Sequence, residues 1–535
     1  MKSRPILKNK YYLYLTEFFS GVSVMAVELG ASRLLAPYFS SSQIVWTIII
    51  GTIMIAMALG NLWGGREADK NPDPDRLYFR ILIAAVWIAA IPVAGKYVIL
   101  AVSGVLVLTV STNLLIIAAF LSCMIIFVFP LFLLGTVTPS LVKYTVDSLD
   151  DSGKAVGMLG AANTVGSIIG TFLPTFVTIP AVGTSITFLI FSGILLAIGL
   201  VYFLSGKAGY RASAAAAALF ILCSVFGRSG SFAFWEKDLS YEGESVYNYL
   251  QVKENDEAVI LSTNVLFGVQ SVKMKTDSLT GMYYDYALAA PLMAGVDEKP
   301  DANVLILGNG TGTYAAQCRK YFPYAEIEGV EIDGKITALA DKYFDMPDDI
   351  DVATYDGRAY LAAVDTKYDV ILVDAYQDIT IPFQMSSAEF FTLVRGHLKD
   401  GGVMVVNMNM HSDGEDSINQ ALTDTVASVF GSVYTADVAG ATNREMFASV
   451  SGDLRAALRD GTSRQTDFEL HAMMDTVRGA LTLVEAGDGV LTDDRAPVEM
   501  LGMKTLDGYI GSELKYYREL FRAEGFAGIL GEFNA

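Results

Sequence analysis

Four short apolar segments in the second half of the chain end on residues that can do chemistry. Residues 304–307 run into Gly308-Asn309-Gly310-Thr311-Gly312, a turn whose glycines let backbone come close to a ligand. Residues 327–331 end on Glu331, about 20 residues further along, where a carboxylate can take both hydroxyls of a ribose. Residues 351–354 lead to Asp356-Gly357, whose acid can accept from the exocyclic amine of a purine, and residues 368–374 close on Asp374, an acid facing the same cleft. A glycine turn alone binds nothing in many proteins, and a lone strand-end acid is usually solvated surface. Their conjunction, in this order on one sheet, points to a nucleoside ligand.

The elements that must hold these residues alternate between strand and helix. Helical spacing covers residues 313–321, 334–343 and 387–398, and a fifth buried strand covers 403–408. This alternation predicts an α/β, Rossmann-like, doubly wound and mostly parallel sheet, which binds ligands at the carboxyl ends of its strands. Before it, residues 245–253, 258–262 and 270–276 read as a small antiparallel β layer. After it, residues 502–526 have the spacing of a packing helix. His397, His411 and His471 are scattered without metal-ligand spacing, so no metal is expected.

Composition divides the chain in two. Its 535 residues are 52% hydrophobic and only 18% charged. Residues 1–228 hold eight Lys, seven Arg and nine acids, a balance of +6, which leaves 23 basic and 49 acidic residues, or −26, for the remainder. A segment so acidic repels phosphate backbones, which excludes nucleic acid as its main partner. The basic part is apolar in runs of the ~20 residues a helix needs to cross a bilayer. Seven spans are expected, at residues 12–37, 44–63, 78–94, 114–134, 155–179, 186–204 and 212–226, with 97–110 a continuation of the third, a re-entrant piece or an eighth. Gly157, Gly160, Gly166 and Gly170 give the fifth a small-residue packing face. Glu28 and Arg33 are charges at membrane depth, read first as mutual partners and second as part of a substrate path. Lys and Arg cluster before the first span and in the even-numbered loops (Arg66, Lys70, Arg76, Lys143, Lys154, Arg211). That bias makes the N-terminus cytoplasmic, and seven crossings place the acidic part outside. The expected domains are therefore 1–228 in the cell membrane, 229–295 as the β layer and 296–535 as the Rossmann-like domain.

The residues also resemble a family. Ser245-Val246-Tyr247-Asn248, Tyr283-Tyr284-Asp285, the 308–312 turn, Val330-Glu331-Ile332-Asp333 and Asp356-Gly357-Arg358-Ala359-Tyr360-Leu361 are similar to motifs of the spermidine synthases, aminopropyltransferases with a methyltransferase-like fold. Residues 27–37, 64–69, 163–171 and 491–499 resemble the multi-pass membrane proteins fused to such a domain, so the likeness extends over nearly the whole chain. The resemblance implies a sulfonium nucleoside co-substrate, S-adenosylmethionine or its decarboxylated form. Glu331 would hold the ribose, Asp356 the adenine amine and Asp374 the reacting amine, with Tyr376 and Asp378 assisting. Asn248, Tyr283, Gly308, Gly310, Thr311, Gly312 and Gly357 would complete the nucleoside site.

The departures from the family pattern bear on the donor. The family's acid in the glycine turn is Thr311 here, its Gln is Asn248, and the loop after Asp374 is one residue longer before its second Asp. Fewer carboxylates near the donor's tail weaken the preference for a decarboxylated donor. Aminopropyl transfer to a polyamine-type amine is therefore the leading expectation. Methyl transfer from S-adenosylmethionine, transport of donor or polyamine, and a nucleoside-binding module without turnover are the alternatives. The lipid bilayer and a small amine are the implied partners, and a homodimer is compatible with the sequence.

Overall fold

The computed structural model describes residues 5–110, 112–145, 152–206, 209–228, 231–236, 238–265, 269–375, 382–409, 412, 414 and 417–532. The chain forms two compact units. One comprises Met1–Trp235, Gly243–Tyr249 and Leu514–Ala535, the other Glu236–Glu242 and Leu250–Glu513.

The first unit is helical: α1 (Lys10–Phe39), α2 (Gln43–Lys70), α3 (Pro74–Thr109), α4 (Leu114–Gly135), α5 (Val137–Thr145), α6 (Ser152–Leu173), α7 (Ile179–Ser205) and α8 (Tyr210–Gly227). Six stretches among the described residues are long and apolar enough to cross a membrane. The expected count was seven; the difference arises because segments 155–179 and 186–204 are joined through the π-turn Pro174–Thr178 into one run, Ser152–Ser205, of 54 residues. That run breaks at Gly183, whose φ of 80° and ψ of 169° are not helical. The apolar stretch 97–110 continues the third helix, as the first of its three readings had it.

Small residues bring α1 and α6 together: a Cβ on Gly166 or Gly170 would stand 2.1 or 2.2 Å from the carbonyl oxygens of Phe18 and Val22. Gly157 and Gly160 of the expected packing face have open space instead. Arg33 turns its guanidinium onto the carbonyl oxygens of Val246 and of Ser245, the latter at 3.2 Å. The carboxylate that the bundle encloses is Glu17, fully buried, accepting from Thr138 Oγ1 at 2.6 Å and Asn163 Nδ2 at 2.8 Å.

Polar contacts sort the helix ends into two groups. Tyr38 at the end of α1 donates to Phe232 O at 3.0 Å, and Lys96 in the second half of α3 donates to Ser231 O at 2.8 Å. Arg518 donates to Val107 O at 3.0 Å, and Thr184 beside the break donates its N–H to Glu244 at 2.7 Å. At the opposite end, Tyr12 donates to Ile198 O at 2.6 Å and Tyr202 to Asp75 Oδ1 at 2.5 Å.

In the second part of the chain two sheets form. Strands β1 (Leu239–Glu244), β2 (Tyr249–Glu254), β3 (Ala258–Ser262) and β4 (Ser271–Met274) lie in that order in one sheet, with β2–β3 and β3–β4 antiparallel. The other has eight strands in the order β12-β10-β11-β9-β8-β5-β6-β7. Strands β5 (Asn303–Leu307), β6 (Glu326–Glu331), β7 (Asp351–Thr354), β8 (Tyr368–Val373) and β9 (Leu398–Met408) pair in parallel with one another. Strands β10 (Ser432–Asp437), β11 (Arg444–Ser449) and β12 (Thr482–Leu483) extend it antiparallel. Those three escaped the sequence reading because Ser, Thr, Arg and Glu interrupt their apolar pattern. The central strands β5 and β8 are apolar on both faces and almost wholly buried, as a parallel sheet covered by helices requires.

Asp369 anchors the lower end of β8. It accepts from Lys299 Nζ at 2.7 Å, Lys399 Nζ at 2.8 Å and Asn303 N at 2.9 Å. Burial raises its pKa, but the hydrogen bonds from the two lysines outweigh this and hold the carboxyl below its ordinary value. A depressed pKa stabilises the fold above the ordinary aspartate value of 3.8, and that stabilisation is lost as pH falls through the folded-state pKa. Asp369→Ala is expected to cost about 2–4 kcal/mol at neutral pH. The check is the thermal midpoint of the full-length protein in detergent, whose difference from wild type should shrink on acidification.

Candidate active site

Strand β5 is apolar to its last residue and then must turn sharply, which Gly308 permits with φ of 91°. Its N–H and that of Asn309 both donate to Val330 O, at 2.9 and 3.0 Å, tying the turn to the end of β6. Gly310 and Gly312 also adopt positive φ, and the helix Thr313–Tyr321 starts directly after them. Thr311 donates its N–H to Ser271 Oγ at 3.2 Å, while its own Oγ1 is buried without a partner. Beside this turn lies a cavity of about 270 Å³, lined by Thr280, Thr311, Gly312, Gln317 and Lys320 among others.

Glu331 ends β6 with only 7% of its surface exposed. One oxygen accepts from Gly310 N and the other from Asp333 N, both at 2.9 Å. Burial pushes its pKa up to about 7 against these two hydrogen bonds. Asp374 sits one residue past β8. Its Oδ2 accepts from the Tyr283 hydroxyl at 2.7 Å and its Oδ1 from Asn407 Nδ2 at 2.8 Å. Asn407 is itself oriented by Asn443, which donates to Asn407 Oδ1 at 2.9 Å. Burial likewise pushes Asp374 up to about 7; the bonds from Asn407 and Tyr283 oppose it and the charge of Glu331 adds to it.

Glu331 and Asp374 are thus two interacting carboxylates whose protons respond to whatever charge enters between them. A cation placed beside them would lower both pKa values. Tyr283 belongs to it directly. Asp285, two residues on, is consumed by structure: it is fully buried and accepts from Thr280 N, Thr280 Oγ1, Gly281 N and Gln317 Nε2 at 2.6–3.2 Å.

Asp356 follows β7 and caps the helix Gly357–Ala363, accepting from Ala359 N at 2.8 Å through Oδ1. Its second oxygen is the one left for an amine, and Gly357 is the first residue of that helix. Asn248 lies in the unit that holds the helices, in a turn where its N–H donates to Ser245 Oγ at 2.8 Å. Tyr376, Asp378 and His411 lie outside the described residues. Asn407, Asn443 and Glu445 were missed. The signal for the first was an amide inside the apolar run 403–408; Glu445 lies on β11, whose apolar pattern is interrupted, and Asn443 directly precedes that strand.

Comparison with known proteins identifies a family. Residues 288–443 match the spermine/spermidine synthase domain family. A curated protein of Bifidobacterium longum (strain NCC 2705), named a probable polyamine aminopropyl transferase, is 55% identical over 349 residues, which is 62% of this chain and 77% of that protein. The polyamine aminopropyltransferase of Vibrio vulnificus (strain CMCP6) is 27% identical over 223 residues, 40% of this chain and 71% of its own. Among solved structures, a probable spermidine synthase from Corynebacterium glutamicum ATCC 13032 is 18% identical, with 48% of this chain and 98% of that one covered at a TM-score of 0.36. With more than three-quarters of a relative's length matched at such identity, and the family's domain lying over the sheet that carries Glu331 and Asp374, the chain belongs to the spermine/spermidine synthase family of polyamine aminopropyltransferases.

Proposed function

We propose that the chain is a membrane-integrated aminopropyltransferase that alkylates a polyamine-type amine from decarboxylated S-adenosylmethionine. The observation that carries it is the Asp374 carboxylate, held between Tyr283 and Asn407 and poised near neutrality beside Glu331. A sulfonium nucleoside supplies, when bound, an electrophilic carbon with a thioether leaving group. Attack forms a C–N bond and breaks the S–C bond, and the amine's proton goes to Asp374. Tyr283 and Asn407 fix the carboxylate so that it both orients the amine and receives that proton. Glu331, braced by Gly310 N, offers its remaining acceptor capacity to ribose hydroxyls, and Asp356 Oδ2 to the adenine amine. The chain's residues fit such a donor: the orphaned Thr311 Oγ1 lies buried in the turn where the donor's tail would pass. That same neutral Thr311, where the family carries an acid, supports intact S-adenosylmethionine as the second reading. Incubating purified protein with each donor and a panel of di- and polyamines tests both; methylated product with no aminopropyl product would replace the first reading by the second.

We also infer seven crossings, with the soluble unit outside the cytoplasm. A helical run of 54 residues measures ~80 Å at 1.5 Å per residue, more than twice the ~30 Å of hydrocarbon. Its break at Gly183 groups, through Thr184 and Glu244, with the C-terminal parts of α1 and α3, whereas Ile198 and Tyr202 of α7 group with Tyr12 and Asp75 at their N-terminal ends. Both facts support two crossings within Ser152–Ser205. The chain then leaves α8 on the side opposite the basic N-terminus. In a chain freed of Cys123, Cys223 and Cys318, Tyr324→Cys is expected to react with a membrane-impermeant maleimide in intact cells and Lys70→Cys only after permeabilisation. The reverse pattern would refute the assignment.

A further inference from the structure

Glu445 is a buried acid of the sheet that neither the sequence pattern nor the reaction above accounts for. It lies on β11, an interior strand flanked by β9 and β10, and none of its surface is exposed. Neither carboxyl oxygen has a hydrogen-bond partner. A buried carboxyl without partners is destabilising even when neutral and more so when charged, so at this position an apolar residue would make the more stable protein. Its place in the register is informative. Glu445 stands directly opposite Asn407, and side chains of such a pair share one face with Cβ atoms ~5 Å apart. Asn407 is the residue that holds Asp374. Phe447, on the same face of β11, packs in the core cluster that includes Tyr283 and Tyr314. Glu445 is therefore one side chain removed from the reacting carboxylate, with unused acceptor capacity.

We infer that Glu445 is the acceptor-specificity residue, taking the second ammonium of a di- or polyamine while Asp374 holds the amine that reacts; this rests on the amine-transfer reading of the site. Burial pushes the Glu445 carboxyl well up, and the neighbouring Asp374 adds to it. An entering ammonium supplies a charge that favours its ionised form. Two carboxylates spaced by one side chain discriminate a diammonium from a monoammonium of equal length, because the latter leaves the second carboxyl unpaired.

The test is calorimetric binding of 1,4-diaminobutane and n-butylamine to the full-length protein in detergent, for wild type, Glu445→Gln and Glu445→Leu. Both substitutions are expected to weaken diamine binding at least tenfold and to change butylamine binding less than twofold. Glu445→Leu is also expected to raise the thermal midpoint, so that lost binding is not lost folding. Diamine affinity within twofold of wild type in either folded variant would overturn the inference, as would a wild type that binds both amines equally. If wild type binds the diamine through Glu445 yet forms no aminopropyl product with any donor, the transfer reading fails and the amine site stands.

Discussion

Asp374→Asn is expected to lower kcat by 10²–10⁴ while changing donor affinity no more than a few-fold, because general-base assistance contributes on that scale. The substitution is nearly isosteric, so the comparison isolates charge. Asn407 cannot flip to serve the new amide without losing its bond from Asn443, but the Tyr283 hydroxyl can rotate from donor to acceptor. Glu331 and its two backbone donors are untouched, which is why donor binding should persist. Single-turnover transfer rates and donor binding measured on the same preparation are the check. A variant retaining more than a tenth of the wild-type rate would remove Asp374 from its assigned role.

The same residue sets the pH dependence. With the Asp374 pKa near 7, kcat/KM should climb with pH and level off above about 7, and Asp374→Asn should abolish that limb. Stability moves oppositely. A folded-state pKa raised above the ordinary 3.8 stabilises fully below that value, and the contribution is lost as pH rises through about 7. The ligand-free wild type should therefore lose stability relative to Asp374→Asn between pH 4 and 8.

Gly308→Ala is expected to abolish donor binding and to destabilise the fold. A Cβ there would sit 2.4 Å from the carbonyl oxygen of Asp374 and 2.8 Å from Ala375 N, both backbone atoms with no rotamer to retreat to. The φ of 91° is itself unfavourable for alanine. Relief must come from moving the turn, which detaches the N–H groups of Gly308 and Asn309 from Val330 and withdraws Gly310 N from Glu331. A cost of about 2–4 kcal/mol follows, since steric overpacking of 1–3 kcal/mol adds to the strain of positive φ. Gly440→Ala is the control, with φ of 76° but open space around its Cβ, and should cost about 1 kcal/mol. Thermal midpoints of the two variants separate close approach from backbone strain; equal losses would show that the approach of Gly308 to Asp374 is not limiting.

Much of this protein was legible in its sequence because the signals are local. The length of an apolar run reports a buried helix or strand, and an acid or glycine at its end reports a strand terminus whatever the rest of the chain does. So Gly308, Glu331 and Asp374 were found with their strands, and strand 351–354 was drawn as it stands. The helix that Asp356 caps begins at once behind it, a local signal that served two readings. The Tyr283 motif was seen, but only packing shows that its hydroxyl crosses 91 positions of sequence to reach Asp374 while Asp285 serves its own turn.

Tertiary structure decided the rest, because hydrogen-bond partners between strands depend on register, which no local pattern encodes. Asn407, Asn443 and Glu445 meet only when β11 pairs antiparallel with β9, and a one-residue slip would turn Glu445 to the other face. In the helical unit the sequence determined which segments are apolar enough to leave water. Packing decided that Arg33 turns to backbone carbonyls, that Glu17 is the enclosed acid, and that two expected spans are one broken helix, since a side chain takes the nearest partner the fold supplies.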